Sequence, residues 1–112
     1  MNGGILDIWI NCPDRETAGA IAEGLIARRL AACANILGPI ESVYYWKGAV
    51  EREGEVPLVV KTRESLFDAA AAEIARLHPY ETPSIIGLPV ARVNCDYRDW
   101  VIAETEAAET GS

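Results

Sequence analysis

The segment Ala32–Thr62, ACANILGPIESVYYWKGAVEREGEVPLVVKT, decides how the chain folds. Two runs rich in strand formers flank a short polar break at Lys47-Gly48. The first holds Ile40, Val43, Tyr44, Tyr45 and Trp46, and the second Val56, Leu58, Val59 and Val60. Aromatic and β-branched side chains suit a pleated surface, and a glycine-containing break between two such runs reads as a hairpin. As one strand, the arm from Ala32 to Trp46 would reach about 45–50 Å, whereas a globular chain of this length is only about 35 Å across. The arms must therefore bend or overhang their own core. Successive strand residues point to opposite faces, so Val43-Tyr44-Tyr45-Trp46 puts bulk on both. A second copy of the chain is the expected cover.

Outward from the hairpin, Ile5–Asn11 is β-rich and fits a central strand. Pro13-Asp14 ends it and offers Asp14 as a helix N-cap. Ala18, Ile21, Ala22 and Leu25 fall on one helical face, and Arg28 and Arg29 in the last turn complement the helix dipole. Gly24 costs this helix about 1 kcal/mol relative to alanine, which suggests a close neighbour. Gly38-Pro39 interrupts the first arm, because proline donates no ladder hydrogen bond. Pro57 places the return arm, Val50–Thr62, at an edge or an irregularity. Thr62 is the expected cap of a second helix with Glu64 in its first turn, ending near His78 ahead of Pro79. Ser84–Val90 reads as a fourth strand, followed by a short helix from Asn94 or Asp96 in which Tyr97, Trp100 and Val101 share a face. The order is β-α-β-β-α-β plus a terminal helix: an α+β fold, a split βαβ antiparallel sheet with helices on one face. Residues 1–112 form one domain, and 105–112 are expected to be a disordered tail.

The chain has 112 residues, half of them hydrophobic, and a formal charge of −7. That length buries a core without staples. The charge argues against a nucleic-acid partner, since phosphate binding needs a basic face. The N-terminal apolar run is too short for a signal sequence or a membrane span. Cys12, Cys33 and Cys95 match no zinc-finger or Cys-x-x-Cys spacing and read as free thiols of a reducing compartment, the cytoplasm.

No nucleophile–base pair, P-loop, H-E-x-x-H or G-x-S-x-G pattern is present, which leaves an enzyme the weakest reading. His78 is the single histidine. In His78-Pro79-Tyr80-Glu81-Thr82-Pro83 it supplies a nitrogen ligand and Glu81 an oxygen ligand, with two prolines stiffening the turn. Alternatively, His78 caps the carbonyls of its own helix and Tyr80 packs on the core. Two ligands do not complete a metal site, so a neighbouring subunit would contribute more. Glu55 on the hairpin is a further acid, and Cys12, at the end of the first strand, a soft-metal candidate. Trp46 and Lys61 are placed to line a subunit seam, with Lys61 either reaching solvent or pairing with an acid. Cys33, in Leu30-Ala31-Ala32-Cys33, reads as a small buried hydrophobe rather than a nucleophile.

LAACAN at 30–35, SVYYWKG at 42–48, EV-x-LVVKT at 55–62, HPYETP at 78–83 and DYRDW at 96–100 together resemble the CutA-type divalent-ion tolerance proteins. The resemblance implies a ferredoxin-like fold and a tight homotrimer in which the long hairpins pair around a threefold axis. It also implies tolerance to copper and other divalent ions, with no defined catalytic reaction. His78, Tyr80 and Glu81 match the family's HPYE run; Glu55, Lys61 and Trp46 match its hairpin. Ser84 departs from it, standing where many relatives carry glutamate. The resulting expectation is a trimer, neither nucleic-acid-binding nor membrane-bound, that holds Cu2+ or another divalent cation weakly at subunit clefts through His78, Glu81, Glu55 and Cys12, beside Cys33, Trp46, Lys61 and Tyr80. The alternative, of a different class, is a small-ligand sensor like the trimeric nitrogen-regulatory signalling proteins that share this fold, which an anion at Lys61 and Arg63 would favour.

Overall fold

A computed structural model describes residues 4–109, with side chains to residue 106. The elements run β1 (Ile5–Cys12), α1 (Arg15–Ala27), β2 (Cys33–Ile36), β3 (Ile40–Trp46), β4 (Ala49–Arg63), α2 (Phe67–Leu77), β5 (Ile85–Pro89) and α3 (Cys95–Glu109), with a 3-10 turn at Glu64–Leu66 leading into α2. The sheet order is β2-β4-β1-β5, and β3 pairs with the distal part of β4. All pairings are antiparallel.

The first arm of the hairpin is two strands broken at 37–39, as Gly38-Pro39 requires. Cys33–Ile36 pairs with Leu58–Lys61 of β4, and Ile40–Trp46 with Ala49–Glu55. The β3–β4 ribbon reaches beyond the body of the domain, whose longest axis is 44 Å against 28 and 22 Å for the others. The turn is tight: Lys47 and Gly48 both take positive φ, 51° and 85°.

Pro57 is not at an edge. It lies inside β4, opposite Asn11 of central β1. Its carbonyl accepts from the Leu37 N–H at 2.9 Å. A strand residue turns its N–H and C=O to the same side, so the missing donor of Pro57 faces the gap between β2 and β3, where no strand residue needs it.

Ile8, Ile10, Leu58 and Val60 point from the sheet onto Ile21 and Leu25 of α1 and Ile74 of α2, and all are fully buried. Asp14 caps α1, accepting from the Thr17 N–H at 2.8 Å. A Cβ on Gly24 would lie 2.9 Å from Leu77 Cδ1, so this glycine does permit the close approach of α1 and α2. The helix ends at Ala27, and Arg29 is left-handed at φ 60°. The two arginines consequently act as clamps: Arg28 reaches Glu73 of α2 at 2.8 Å and Arg29 reaches Glu104 of α3 at 2.7 Å.

Thr62 does not cap a helix. It is a buried residue of β4 whose hydroxyl donates to the Leu30 carbonyl at 2.7 Å. α3 also differs from expectation. It is fifteen residues long rather than short, and it runs through the segment expected to be disordered as far as Glu109; residues 110–112 lie outside the described residues. Arg63 explains its order. The Arg63 Nε donates to the Thr105 hydroxyl at 2.9 Å and Nη2 to the Thr105 carbonyl at 3.2 Å, both in buried positions. Arg63 lies on the sheet face opposite the α1–α2 core by strand alternation, so α3 covers part of that second face. Trp9, Ile86 and Leu88 lie on the same face and stay exposed.

Candidate functional site

The distal hairpin and the loop after α2 enclose a cleft of about 700 Å³. One face of the ribbon supplies the first wall. Tyr44 stands opposite Glu51 and Ser42 opposite Glu53, and alternation puts Trp46 and Glu55 on that face too. Pro79, Tyr80, Glu81, Thr82 and Ser84 form the second wall, and Asn11 the floor.

Pro79 fixes the second wall locally. The residue before proline is driven out of the helical region, and His78 is extended at ψ 136°, ending α2. Its imidazole is buried and held at both nitrogens. Nε2 donates to the Asn11 carbonyl at 2.8 Å, and Nδ1 accepts from the Tyr80 N–H at 3.2 Å. The Tyr80 ring packs on the imidazole with centroids 4.6 Å apart. The imidazole thus bonds neither its own helix carbonyls nor the cleft, while the His78 backbone N–H closes α2 on the Ile74 carbonyl at 2.9 Å; the ring ties the loop to β1, and coordination there would break one of its bonds.

Tyr80 turns its hydroxyl toward the hairpin and donates to Glu55 Oε2 at 2.9 Å. Burial, that hydrogen bond and the charges of Glu55 and Glu53 push the phenol well above its usual range, so it remains a donor. Glu55 is only 7% exposed. Among the described residues its other oxygen carries no hydrogen bond, and no basic side chain pairs with Glu51, Glu53 or Glu55. Only the rim is compensated: Lys47 Nζ lies 3.5 Å from Glu81 Oε1 and 5.5 Å above the Trp46 ring.

Alternate residues of a strand lie about 6.8 Å apart, so positions 51, 53 and 55 span about 14 Å along β4. One hard cation takes its ligands at about 2.0–2.6 Å. Accordingly, among the described residues no group of three or more His, Cys, Asp or Glu side chains is arranged to hold a metal ion.

Of the residues singled out in the sequence, Glu55, Glu81, Tyr80 and Trp46 meet in this cleft, with His78 directly behind it. Cys12 is not exposed; it is fully buried, and desolvation, with Asp14 and Glu55 nearby, pushes its thiol up to about 11. Cys33 and Lys61 lie elsewhere, paired across β2 and β4. There Lys61 Nζ is 3.1 Å from both oxygens of Asp7, and burial, with Cys33 and Asp7 nearby, pushes the phenol of Tyr97 of α3 upward. With Arg63 bound to Thr105, the cations proposed for an anion site are already engaged. Glu51, Glu53 and Tyr44 were not anticipated. The signal was the 51-53-55 alternation, which puts three carboxylates on one face of any strand.

A family model described as CutA1 divalent ion tolerance protein matches residues 6–104. The human Protein CutA is 38% identical over 105 residues, which is 94% of this chain and 59% of the human protein, so the chain spans about three-fifths of that relative. The divalent-cation tolerance protein CutA of Thermus thermophilus is 40% identical over 98 residues, 88% of this chain and 95% of the relative. Among solved structures, CutA1 from Oryza sativa superposes with a TM-score of 0.88 at 37% identity, covering 91% of this chain and 94% of the other. The periplasmic divalent cation tolerance protein CutA from Archaeoglobus fulgidus gives 0.87 at 36% identity, covering 90% and 98%.

Proposed function

Because the chain belongs to the CutA1 divalent ion tolerance family, we propose that it serves in tolerance of divalent cations by binding them in the acidic cleft, without turning over a substrate. The carrying observation is the run Glu51, Glu53 and Glu55, which no basic side chain among the described residues compensates and whose innermost member is buried and accepts a hydrogen bond from Tyr80. A buried carboxylate is costly unless a cation or hydrogen bonds offset it. Oxygen donors favour hard divalent ions such as Mg2+, Ca2+ or Mn2+. Cu2+ would draw on His78 and compete with the Tyr80 N–H for Nδ1, so we assign it a weaker place.

One chain offers no complete ligand set, and a second copy is the natural supplier. Tyr45, 77% exposed, shares an uncovered ribbon face with Val43 and Val50, and Trp9, Ile86 and Leu88 form a second uncovered apolar face. A homotrimer with the ribbons packed together would cover both. The free thiols fit a reducing compartment, and we assign the protein to the cytoplasm. No helix among the described residues is long and apolar enough to cross a membrane.

Calorimetric titration with Mn2+ and Cu2+ tests the reading on wild type and on Glu53→Gln, whose exposed side chain leaves folding undisturbed. Weaker Mn2+ binding in the variant is expected; equal affinity would move the site away from the cleft. Sedimentation velocity tests assembly: a wild-type monomer at micromolar concentration, or an undisturbed trimer in Tyr45→Asp, would remove the ribbon interface.

A further inference from the structure

The cleft is unlike a preformed metal site in two respects. Its carboxylates are strung along a strand instead of converging on a point, and aromatic rings stand between them. Tyr44 is directly across from Glu51, and Trp46 is the next residue of β3 on that face. Partial burial and the negative charge of the neighbouring glutamates, Glu53 foremost, push the Tyr44 phenol upward, so it stays neutral beside the acids. A row of anions flanked by aromatic faces suits an elongated organic cation, whose charged groups meet carboxylates while its methylenes lie on the rings.

The chain itself supplies an example. Lys47 is an alkylammonium at the cleft rim, and it places its nitrogen over Trp46 at 5.5 Å and against Glu81 at 3.5 Å. Farther along the ribbon, Glu51, Glu53 and Glu55 line the same cleft, and no basic side chain among the described residues pairs with them. Glu55, only 7% exposed, lines the cleft and, among the described residues, accepts from Tyr80 at one carboxylate oxygen and leaves the other without a hydrogen bond.

We infer that the cleft takes a linear aliphatic polyamine, its ammonium groups on Glu51, Glu53 and Glu55 and its alkyl spacers against Tyr44 and Trp46. This rests on the reading of the cleft as a cation site and specifies its ligand class. The spacing of about 6.8 Å between alternate strand residues fits ammonium groups separated by short alkyl chains better than it fits a single ion. Polyamine and divalent metal would compete for the same carboxylates.

The test is calorimetric titration of the full chain with spermidine and, separately, with Mn2+, at matched ionic strength. Wild type should bind spermidine saturably, one per protomer. Glu53→Gln and Trp46→Leu should each weaken it by roughly tenfold, the loss expected for a charge-assisted contact or a desolvated cation–ring contact. Glu41→Gln removes the same charge from the ribbon's other face, where Glu41 pairs with Arg52, and should leave binding unchanged. A melting curve for each variant confirms folding. Absence of saturable spermidine binding, or equal weakening in Glu41→Gln, overturns the inference, because general electrostatics would then suffice. Mn2+ binding lost in Glu53→Gln without spermidine binding would leave the divalent-cation reading standing and this one refuted. Spermidine binding without Mn2+ binding would do the reverse.

Discussion

Replacing Thr105 by valine probes the contact that holds α3 to the sheet. The swap keeps side-chain volume and opens no cavity, and the two residues have similar helix propensity. It removes the acceptor of Arg63 Nε, at 2.9 Å, together with the hydroxyl's bond to the Val101 carbonyl at 2.8 Å. The Val101 carbonyl remains in its helix, so the main loss is the guanidinium donor. Arg63 is 5% exposed and water does not replace the bond. Arg63 Nη2 keeps the Thr105 carbonyl. An unsatisfied buried donor costs about 1–3 kcal/mol, so about 2 kcal/mol is expected. Unfolding entropy of about 2.1 cal/mol/K per residue converts this to a fall of about 8 °C in midpoint. Thermal melting followed by circular dichroism, at one fixed protomer concentration, measures it. Thr105→Ser retains the hydroxyl and should lose less than half as much. A Thr105→Val midpoint equal to wild type, or a larger loss in Thr105→Ser, would refute the hydrogen bond as the hold on α3.

Glu73, buried between Arg76 and Arg28, carries a second prediction. The Arg76 hydrogen bond, with the charges of both arginines, outweighs burial and holds its carboxyl below the ordinary value. Its stabilisation is therefore complete above the unfolded carboxylate range and is lost as pH falls through the folded value. Denaturant melts between pH 6 and 3 (about the carboxylate range) should show a shallower acid decline for Glu73→Gln than for wild type. The arginines are 61% and 64% exposed, so the effect is screened and should shrink further in high salt; parallel pH profiles would contradict it. His78→Ala leaves the Asn11 carbonyl and the Tyr80 N–H without their partner, and should lower the melting midpoint more than it lowers Mn2+ affinity. The opposite ranking would make His78 a ligand.

The hairpin, its bend and the order of the elements are legible in the sequence because each depends on local chemistry. Proline 39 breaks an arm, Lys47-Gly48 closes a turn, and Pro79 stops α2. What escaped depends on residues distant in sequence. Pro57 reads as either an edge or an irregularity, and only the gap that Gly38-Pro39 leaves opposite its missing N–H decides for the irregularity. Thr62 has the side chain of a cap, but its hydroxyl goes to Leu30, thirty-two residues away. The C-terminal segment reads as a solvated tail because its anchor, Arg63, is forty-two residues upstream. The cleft was half legible: HPYE pointed to one wall, while the other needed Glu51, Glu53 and Tyr44 read as one face of a strand.

The claim that cations enter between the ribbon and the 78–84 loop is tested most directly by anomalous diffraction from crystals soaked in Mn2+. The expected result is an anomalous peak in the cleft, against carboxylate oxygens drawn from Glu51, Glu53, Glu55 and Glu81. An empty cleft at saturating Mn2+, or a peak confined to another surface of the molecule, would contradict it.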